Sequence, residues 1–333
     1  MSVKAYAARG VRENLEPFEY EPKPLGKREV EVRVLHCGIC HSDLAMIDNE
    51  WGMSNYPVVP GHEVVGVVAA VGAQVEDPKI GTRVGVGWHA GSCGHCEWCS
   101  RGKESLCAQE RGTIINHYGG WAESVRVDAK FAVPLPDALD SAVAGPLMCA
   151  GATVFTPMAE FGVEPWMRTA VIGVGGLGHL AVQFLAAFGC EVTAISSTHA
   201  KDDQGRKLGA TRFIATKGGD EIKKAASSFD FILSTANADL PWADFVAALR
   251  PQGRLVFVGI PGAPVQVPVF AMLAEKSVSG AMCGSPSDTA RMLDFAAKSG
   301  VKPVVEHFPM AKVNQALDHV RAGKAHYRVI LSA

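Results

Sequence analysis

The stretch TAVIGVGGLGHLAVQFLAAF, residues 169–188, constrains the fold of this chain more than any other segment. An apolar run that reads as a short buried strand meets GVGGLG, and a helical pattern of apolar residues follows without a break. In that context each glycine has a task. Gly173 allows the tight turn, Gly175 lets backbone approach a pyrophosphate, and Gly178 allows close packing of helix on strand. Gly176 and Leu177 complete the loop, so that a dinucleotide's phosphates would lie at the N-terminus of the helix it opens. The rhythm then repeats. EVTAIS (191–196), RFIA (212–215), FDFILST (229–235), RLVFVGI (254–260) and SVSGAM (277–282) are five more apolar strand candidates, with helical patterns such as WADFVAALR between some of them. This alternation predicts an α/β unit, a Rossmann doubly wound parallel sheet, which six strands would complete.

The texture before residue 150 is different. Runs such as VEVRVLHCGIC, VVGVVAAVG and GTRVGVGW are β-type and broken by glycine, which predicts an irregular strand-rich domain. After the sixth strand come two helical stretches, TARMLDFAAK and VNQALDHVRAG, and a last strand, HYRVILS, with no seventh unit of the repeat. That tail is expected to return to the first domain, giving 1–150 plus 286–333 around an inserted 151–285. A length of 333 residues accommodates two such domains, and 48% hydrophobic with 20% charged residues is an ordinary globular balance. The formal charge of −2 provides no electrostatic footprint for nucleic acid or an anionic membrane, so the expected partner is a small molecule. The N-terminus has no apolar signal region and no run of roughly 18 apolar residues occurs, which leads to the expectation of a cytoplasmic protein. In a reducing compartment an odd count of nine cysteines points to metal binding or catalysis rather than disulfides.

Four of those cysteines stand together. SCGHCEWCSRGKESLC places Cys93, Cys96, Cys99 and Cys107 as CxxCxxCx7C, a spacing that closes four thiolates around a structural zinc. An iron–sulfur cluster uses similar CxxC steps, but here the last spacing is too long and no proline follows Cys107. Two further segments hold metal-ligating types. HCGICHSD, residues 36–43, contains two cysteines, two histidines and an aspartate, and GHEVVGVVAAVGAQV, residues 61–75, begins with Gly61, His62 and Glu63. Neither segment by itself says which side chains act. A nucleic-acid zinc ribbon would need a basic patch and leaves GVGGLG without purpose, and a zinc deaminase would need HxE and PCxxC, which are absent.

Taken together and in this order, the three signals resemble the zinc-dependent medium-chain alcohol dehydrogenases, over essentially the whole chain. The pattern GHExxGxxxxxGxxV is matched at Gly61, His62, Glu63, Gly66, Gly72 and Val75. CGICHSDL, PLMCAG and GKAHYRVIL resemble the cinnamyl-alcohol-dehydrogenase branch, and CHSDLAMIDNEW with AGPLMCAG is similar to the bacterial broad-range NADP-dependent aldehyde reductases. The resemblance implies a GroES-like catalytic domain and two zinc ions per subunit. The catalytic zinc would take Cys40, His62 and Cys149, a Cys2His set carried over from alcohol dehydrogenases. Glu63 would be a displaceable fourth ligand or a close neighbour, Asp43 would orient the ligating histidine, and Cys37 would not bind metal. Cys37, Cys190 and Cys283 read as buried apolar filler. Ser42 would start the proton relay from the substrate oxygen, but the histidine usual three residues later is Ala45. Water and a cofactor hydroxyl would then finish the path, with help from His41, which the family more often places on the pyrophosphate. Arg328 matches the family arginine on that pyrophosphate, Val258, Gly259 and Ile260 would face the nicotinamide, and Trp51 and Trp88 would line the substrate channel. Homo-oligomers, dimer or tetramer, are implied as well.

Cofactor choice can be read from the second strand of the repeat. NAD enzymes normally end it with an acidic residue, roughly 20 positions after the first glycine. Here Ser196 takes that place and Ser197, Thr198 and Lys201 follow. Small hydroxyls and a lysine suit a 2′-phosphate, so NADP(H) is the expected cofactor. The same residues would also serve as an ordinary capped turn before a helix beginning near Lys201.

Overall fold

The computed structural model describes residues 2–333. Two compact units divide it: one comprises the chain up to Ala152 together with Gly284–Ala333, and the other is Thr153–Cys283.

In the first unit the long strand Glu29–Ile39 is the hub of a seven-stranded sheet. It pairs antiparallel with Val64–Val71, Ser124–Asp128 and Arg328–Ser332. Alternate residues Val30, Val32 and Val34 are buried, as a half-buried strand requires, and they meet Val64, Val68, Val125, Val127, Val329 and Leu331 in one core. At Cys37 the alternation stops. From there to Cys40 every residue is buried, although Cys37, Gly38 and Ile39 stay paired with the last strand, so here both faces of the sheet are covered. Cys40 then becomes the N-cap of the short helix His41–Ile47.

The C-terminal tail belongs to this unit. Its last strand is inserted between Glu29–Ile39 and a further strand, Val305–Pro309, which lies parallel to it at the sheet edge. Sequence pattern gave no sign of Val305–Pro309, since an edge strand with one flank open carries no periodic apolar signal; no residue in it is fully buried.

The second unit has a fully parallel six-stranded sheet. Numbering its strands in chain order, the spatial order is Arg212–Ala215, Glu191–Ser196, Arg168–Ile172, Phe229–Ser234, Leu249–Phe257, Ser277–Gly280, that is 3-2-1-4-5-6. This is the Rossmann order, with its switch point between the first and fourth strands, where ligands bind outside the carboxyl ends. The central strands are buried on both faces, which explains their near-continuous apolar runs. The fifth strand ends at Phe257, so Val258 and Gly259 lie beyond it, both donating their N–H to the Ser234 carbonyl. The helix expected near Lys201 starts as a 3-10 turn at His199–Lys201 and becomes α-helical over Asp202–Lys207. Among the described residues no single helix is long and apolar enough to cross a membrane.

Candidate active site

Asp43 is the organising residue of the first site. It sits in the first turn of the His41–Ile47 helix, fully buried. Its Oδ2 accepts the Cys40 N–H at 2.9 Å; its Oδ1 accepts the Gly61 N–H and His62 Nδ1, each at 2.9 Å. One carboxylate thereby joins the end of a strand, the start of a helix and the GHE turn. With Nδ1 donating to Asp43, His62 presents Nε2 as the free lone pair, which is how a ligating imidazole's tautomer is fixed.

That Nε2 lies 3.2 Å from Cys149 Sγ, and Cys149 Sγ lies 3.9 Å from Cys40 Sγ. Cys40, His62, Glu63 and Cys149 are all buried, with ligand atoms within 4.8 Å of one another. Zinc–sulfur bonds of ~2.3 Å at tetrahedral angles put two sulfurs about 3.8 Å apart, so the spacing suits one ion. Charge agrees with geometry. Glu63 is paired with the buried Arg328 guanidinium, leaving two thiolates for a divalent cation to balance. The Cys40 thiol is held well below its ordinary value, first by the hydrogen bond from Cys149 and then by His62, against the effect of burial. For His62, burial pulls the imidazole down, but the Asp43 carboxylate overrides it and holds the group well above its usual range, so a cation binding at Nε2 displaces a proton from it. Burial pushes the Glu63 carboxyl up to about 7, against the pull of Arg328. One Glu63 oxygen, Oε2, is buried with no hydrogen-bond partner among the described residues, as a ligand-ready atom would be. Gly38 makes room for it: a Cβ there would sit 2.0 Å from Oε2.

Aromatic rings wall one side. Trp88 meets His62 edge-on, with ring centroids 5.1 Å apart at 84°, and Trp51 meets Trp88 at 6.0 Å and 73°. Trp51 is 38% exposed, so the pair leads from the buried histidine towards solvent.

The second metal set is the cysteine lobe. Cys93 Sγ lies 3.8 Å from Cys99 Sγ and 3.6 Å from Cys107 Sγ, far beyond a disulfide and near a tetrahedral edge. Backbone N–H groups of Cys96 and Gln109 point at the sulfurs of Cys93 and Cys107, at 3.3 and 3.4 Å. Contacts from the backbone of His95 and Cys96 lower the Cys93 thiol to about 6. Four thiolates fill four positions, so such a site is closed and structural.

In the second unit the glycine loop has the geometry its sequence calls for. Gly173 has φ +89°, which other residues rarely adopt. A Cβ on Gly178 would fall 1.7 Å from the Gly173 carbonyl, whereas one on Gly175 would meet nothing within 4 Å. The loop is therefore tight at its base and open at its tip, where a pyrophosphate could approach.

Comparison with known proteins follows the same division. Residues 26–137 match the alcohol dehydrogenase GroES-like domain family, and residues 176–298 match the zinc-binding dehydrogenase family. An aldehyde reductase of Synechocystis sp. is 50% identical over 331 residues, covering 99% of this chain and 98% of its own. The chain belongs to the zinc-dependent medium-chain alcohol dehydrogenases, in the cinnamyl-alcohol-dehydrogenase branch. Cinnamyl alcohol dehydrogenase 2 of Rauvolfia serpentina is 40% identical over 344 residues, covering 99% and 95% of the two chains. The solved cinnamyl alcohol dehydrogenase of Sorghum bicolor superimposes with a TM-score of 0.95 at 39% identity, covering 100% and 98%. A Helicobacter pylori relative solved with NADP(H) gives 0.91 at 29% identity, covering 100% and 98%. The enzyme is thus of the alcohol dehydrogenase/aldehyde reductase class.

Within this dehydrogenase, two expected cofactor residues and one relay residue also have partners inside the protein. Arg328, matched to the pyrophosphate, is 5% exposed and ion-paired with Glu63. Lys201, matched to the 2′-phosphate, donates from Nζ to the Val174 carbonyl in the glycine loop at 2.8 Å. His41 is exposed, with its ring 3.7 Å from Glu50. Ser42 Oγ lies 3.9 Å from Cys40 Sγ, at the rim of the metal set. Ser196 ends its strand, Thr198 caps the following turn by accepting the Ala200 N–H, and Ile260 donates its N–H to Asn237. Cys37 is fully buried, its S–H directed at the Gly38 carbonyl at 3.7 Å, and it stands apart from both metal sets. Sequence reasoning missed the Glu63–Arg328 pair. Its one signal was an arginine in an otherwise apolar last strand, RVIL, where a buried charge needs a buried partner.

Proposed function

We propose that this dehydrogenase reduces uncharged aliphatic and aromatic aldehydes with NADPH and oxidises the corresponding primary alcohols. The observation that carries the reading is the buried Cys40–His62–Cys149 set with Trp88 edge-on against its histidine, because it joins an electrophile's binding site to an apolar wall with no charged group identified on it. When bound, zinc supplies a Lewis acid for the carbonyl oxygen and the nicotinamide supplies a hydride. Cys40, His62 and Cys149 would hold the metal, with Glu63 in reserve, and Asp43 keeps the imidazole in the ligating tautomer. Arg328 neutralises Glu63, so the carboxylate can stay close without repelling the thiolates. Ser42 holds the first proton of the relay at Oγ. Because Ala45 offers no acceptor three residues on, solvent takes the next step. Ser196, at the end of its strand, brings no negative charge against a 2′-phosphate.

Reaction in the cytoplasm fits a chain whose cysteines form no disulfide among the described residues. A homo-oligomer is supported by the edge strand Ser277–Gly280 and the exposed Val269, Phe270 and Leu273 beside it. Steady-state kcat/KM for a homologous aldehyde series with NADPH and with NADH tests the main reading. Equal use of both cofactors overturns the NADP(H) assignment, and a Trp51→Ala variant with an unchanged chain-length profile removes Trp51 from the pocket. A zinc-loaded protein that consumes no NADPH with any aldehyde would be a non-catalytic relative.

A further inference from the structure

We propose that Lys217, on the turn after the third Rossmann strand, is the cation that reads the cofactor's 2′-phosphate; this rests on the NADP(H) reading above. The two strand ends concerned are joined beyond the sheet. Ser196 pairs with Ala215 in parallel register, and past it Thr216 donates its N–H to the Ser196 carbonyl at 2.9 Å while its hydroxyl points to the same oxygen. One residue on, Lys217 donates its N–H to the Ser197 carbonyl at 3.0 Å. Its backbone is therefore fixed against the serine turn where an acidic residue would stand in an NAD enzyme.

The neighbouring charges are already committed. Lys201 spends one donor on the Val174 carbonyl, which draws its ammonium towards the glycine loop. Glu221 takes the His199 ring and the Ala215 N–H, both at 2.9 Å, and Asp202 pairs with Arg206 at 2.7 Å. Lys217 is exposed and no carboxylate pairs with it among the described residues. Gly218 and Gly219 follow, and a Cβ on either would meet nothing within 4 Å, so nothing crowds the approach of an anion. A dianionic phosphate beside Ser196 and Ser197 would then have Lys217 on one flank, with the serine hydroxyls as neutral donors.

The test uses ligands without nicotinamide, so that binding is read independently of zinc and turnover: adenosine 2′,5′-bisphosphate and 5′-AMP, by calorimetry on the intact enzyme at fixed low salt. Wild type should bind the bisphosphate at least tenfold tighter. Lys217→Ala should weaken bisphosphate binding roughly fivefold and leave 5′-AMP unchanged, with Lys217→Arg restoring it, as expected for a partly exposed charge contact. Lys224→Ala, an exposed lysine seven residues on at the end of the Asp220–Lys224 helix, should change neither. The proposal is overturned if Lys217→Ala binds both ligands as wild type does, weakens both alike, or is matched by Lys224→Ala. Wild type that fails to distinguish the two ligands sinks the NADP(H) reading and this one with it, whereas a discriminating wild type with an inert Lys217→Ala sinks this one alone.

Discussion

Asp43→Asn keeps the shape of the side chain and removes its charge, and the structure sets the size of the effect. Three donors converge on the carboxylate: the N–H groups of Cys40 and Gly61, and His62 Nδ1. Asparagine has one carbonyl oxygen and an NH2 group. If the oxygen keeps Gly61 and His62, the NH2 faces the Cys40 N–H, donor against donor. Hydrogen bonds to a charged group contribute about 1.5–3 kcal/mol and neutral ones about 0.5–1.5. Two weakened bonds and one lost bond therefore destabilise the fold by on the order of 4 kcal/mol. The share acting through His62, about 1–2 kcal/mol, should appear as zinc affinity, and every 1.4 kcal/mol is tenfold. That places the loss at roughly 5- to 30-fold, at the lower end of the range seen when partners of ligating histidines are removed. Chelator titration with a zinc indicator reads it. In wild type the two ions should leave in separate steps; in Asp43→Asn the catalytic step should move to about tenfold less chelator while the cysteine-lobe step stays in place. Coincident curves for wild type and variant, or a shift confined to the lobe, would refute the reasoning.

Three further outcomes are expected. Cys40→Ser should lose one zinc and all turnover with the fold intact, Cys99→Ser should lose the other zinc and lower the melting temperature, and Cys37→Ser should do neither; metal analysis with thermal melts separates the three. Gly178→Ala should abolish dinucleotide binding in calorimetry, because its Cβ would lie 1.7 Å from the Gly173 carbonyl and only separation of helix from strand relieves that. Glu306→Gln tests pH linkage: the His326 N–H and then the His319 ring hold the Glu306 carboxyl below its ordinary 4.5. A depressed acid contributes stability above about 4.5 and loses it as pH falls through its folded value. The gap in melting temperature between wild type and Glu306→Gln should accordingly close on acidification below that point, and a gap that widens there contradicts the assignment.

Local chemistry made the metal lobe and the second unit legible. Four cysteines at CxxCxxCx7C spacing lie in one loop, and the glycines of GVGGLG act on their immediate neighbours, so spacing along the chain is spacing in space. The central parallel strands could be read because burial on both faces leaves continuous apolar runs, and the edge strands Arg212–Ala215 and Ser277–Gly280 from their place in the alternation. The catalytic set was a different case. Cys40, His62 and Cys149 are 22 and 87 residues apart in succession, and only resemblance to a family assembled them before the fold did.

By itself, then, the sequence determined what depends on short-range order: strand and helix alternation, the glycine turn, the four-cysteine loop, and the absence of an acid at Ser196. Tertiary structure decided the partners of the buried and long side chains. Resemblance assigns Arg328 to a phosphate from its position in RVIL, and antiparallel pairing of that strand with Glu29–Ile39 also brings it to Glu63, a residue 265 positions away. Lys201 turned to the Val174 carbonyl, and Lys217 came beside Ser197, because parallel pairing of the second and third strands extends past their ends. A charged side chain removed from water goes to whichever opposite charge or dipole the packing places within reach, and that distance is set by strand pairing across hundreds of residues rather than by neighbours in the chain.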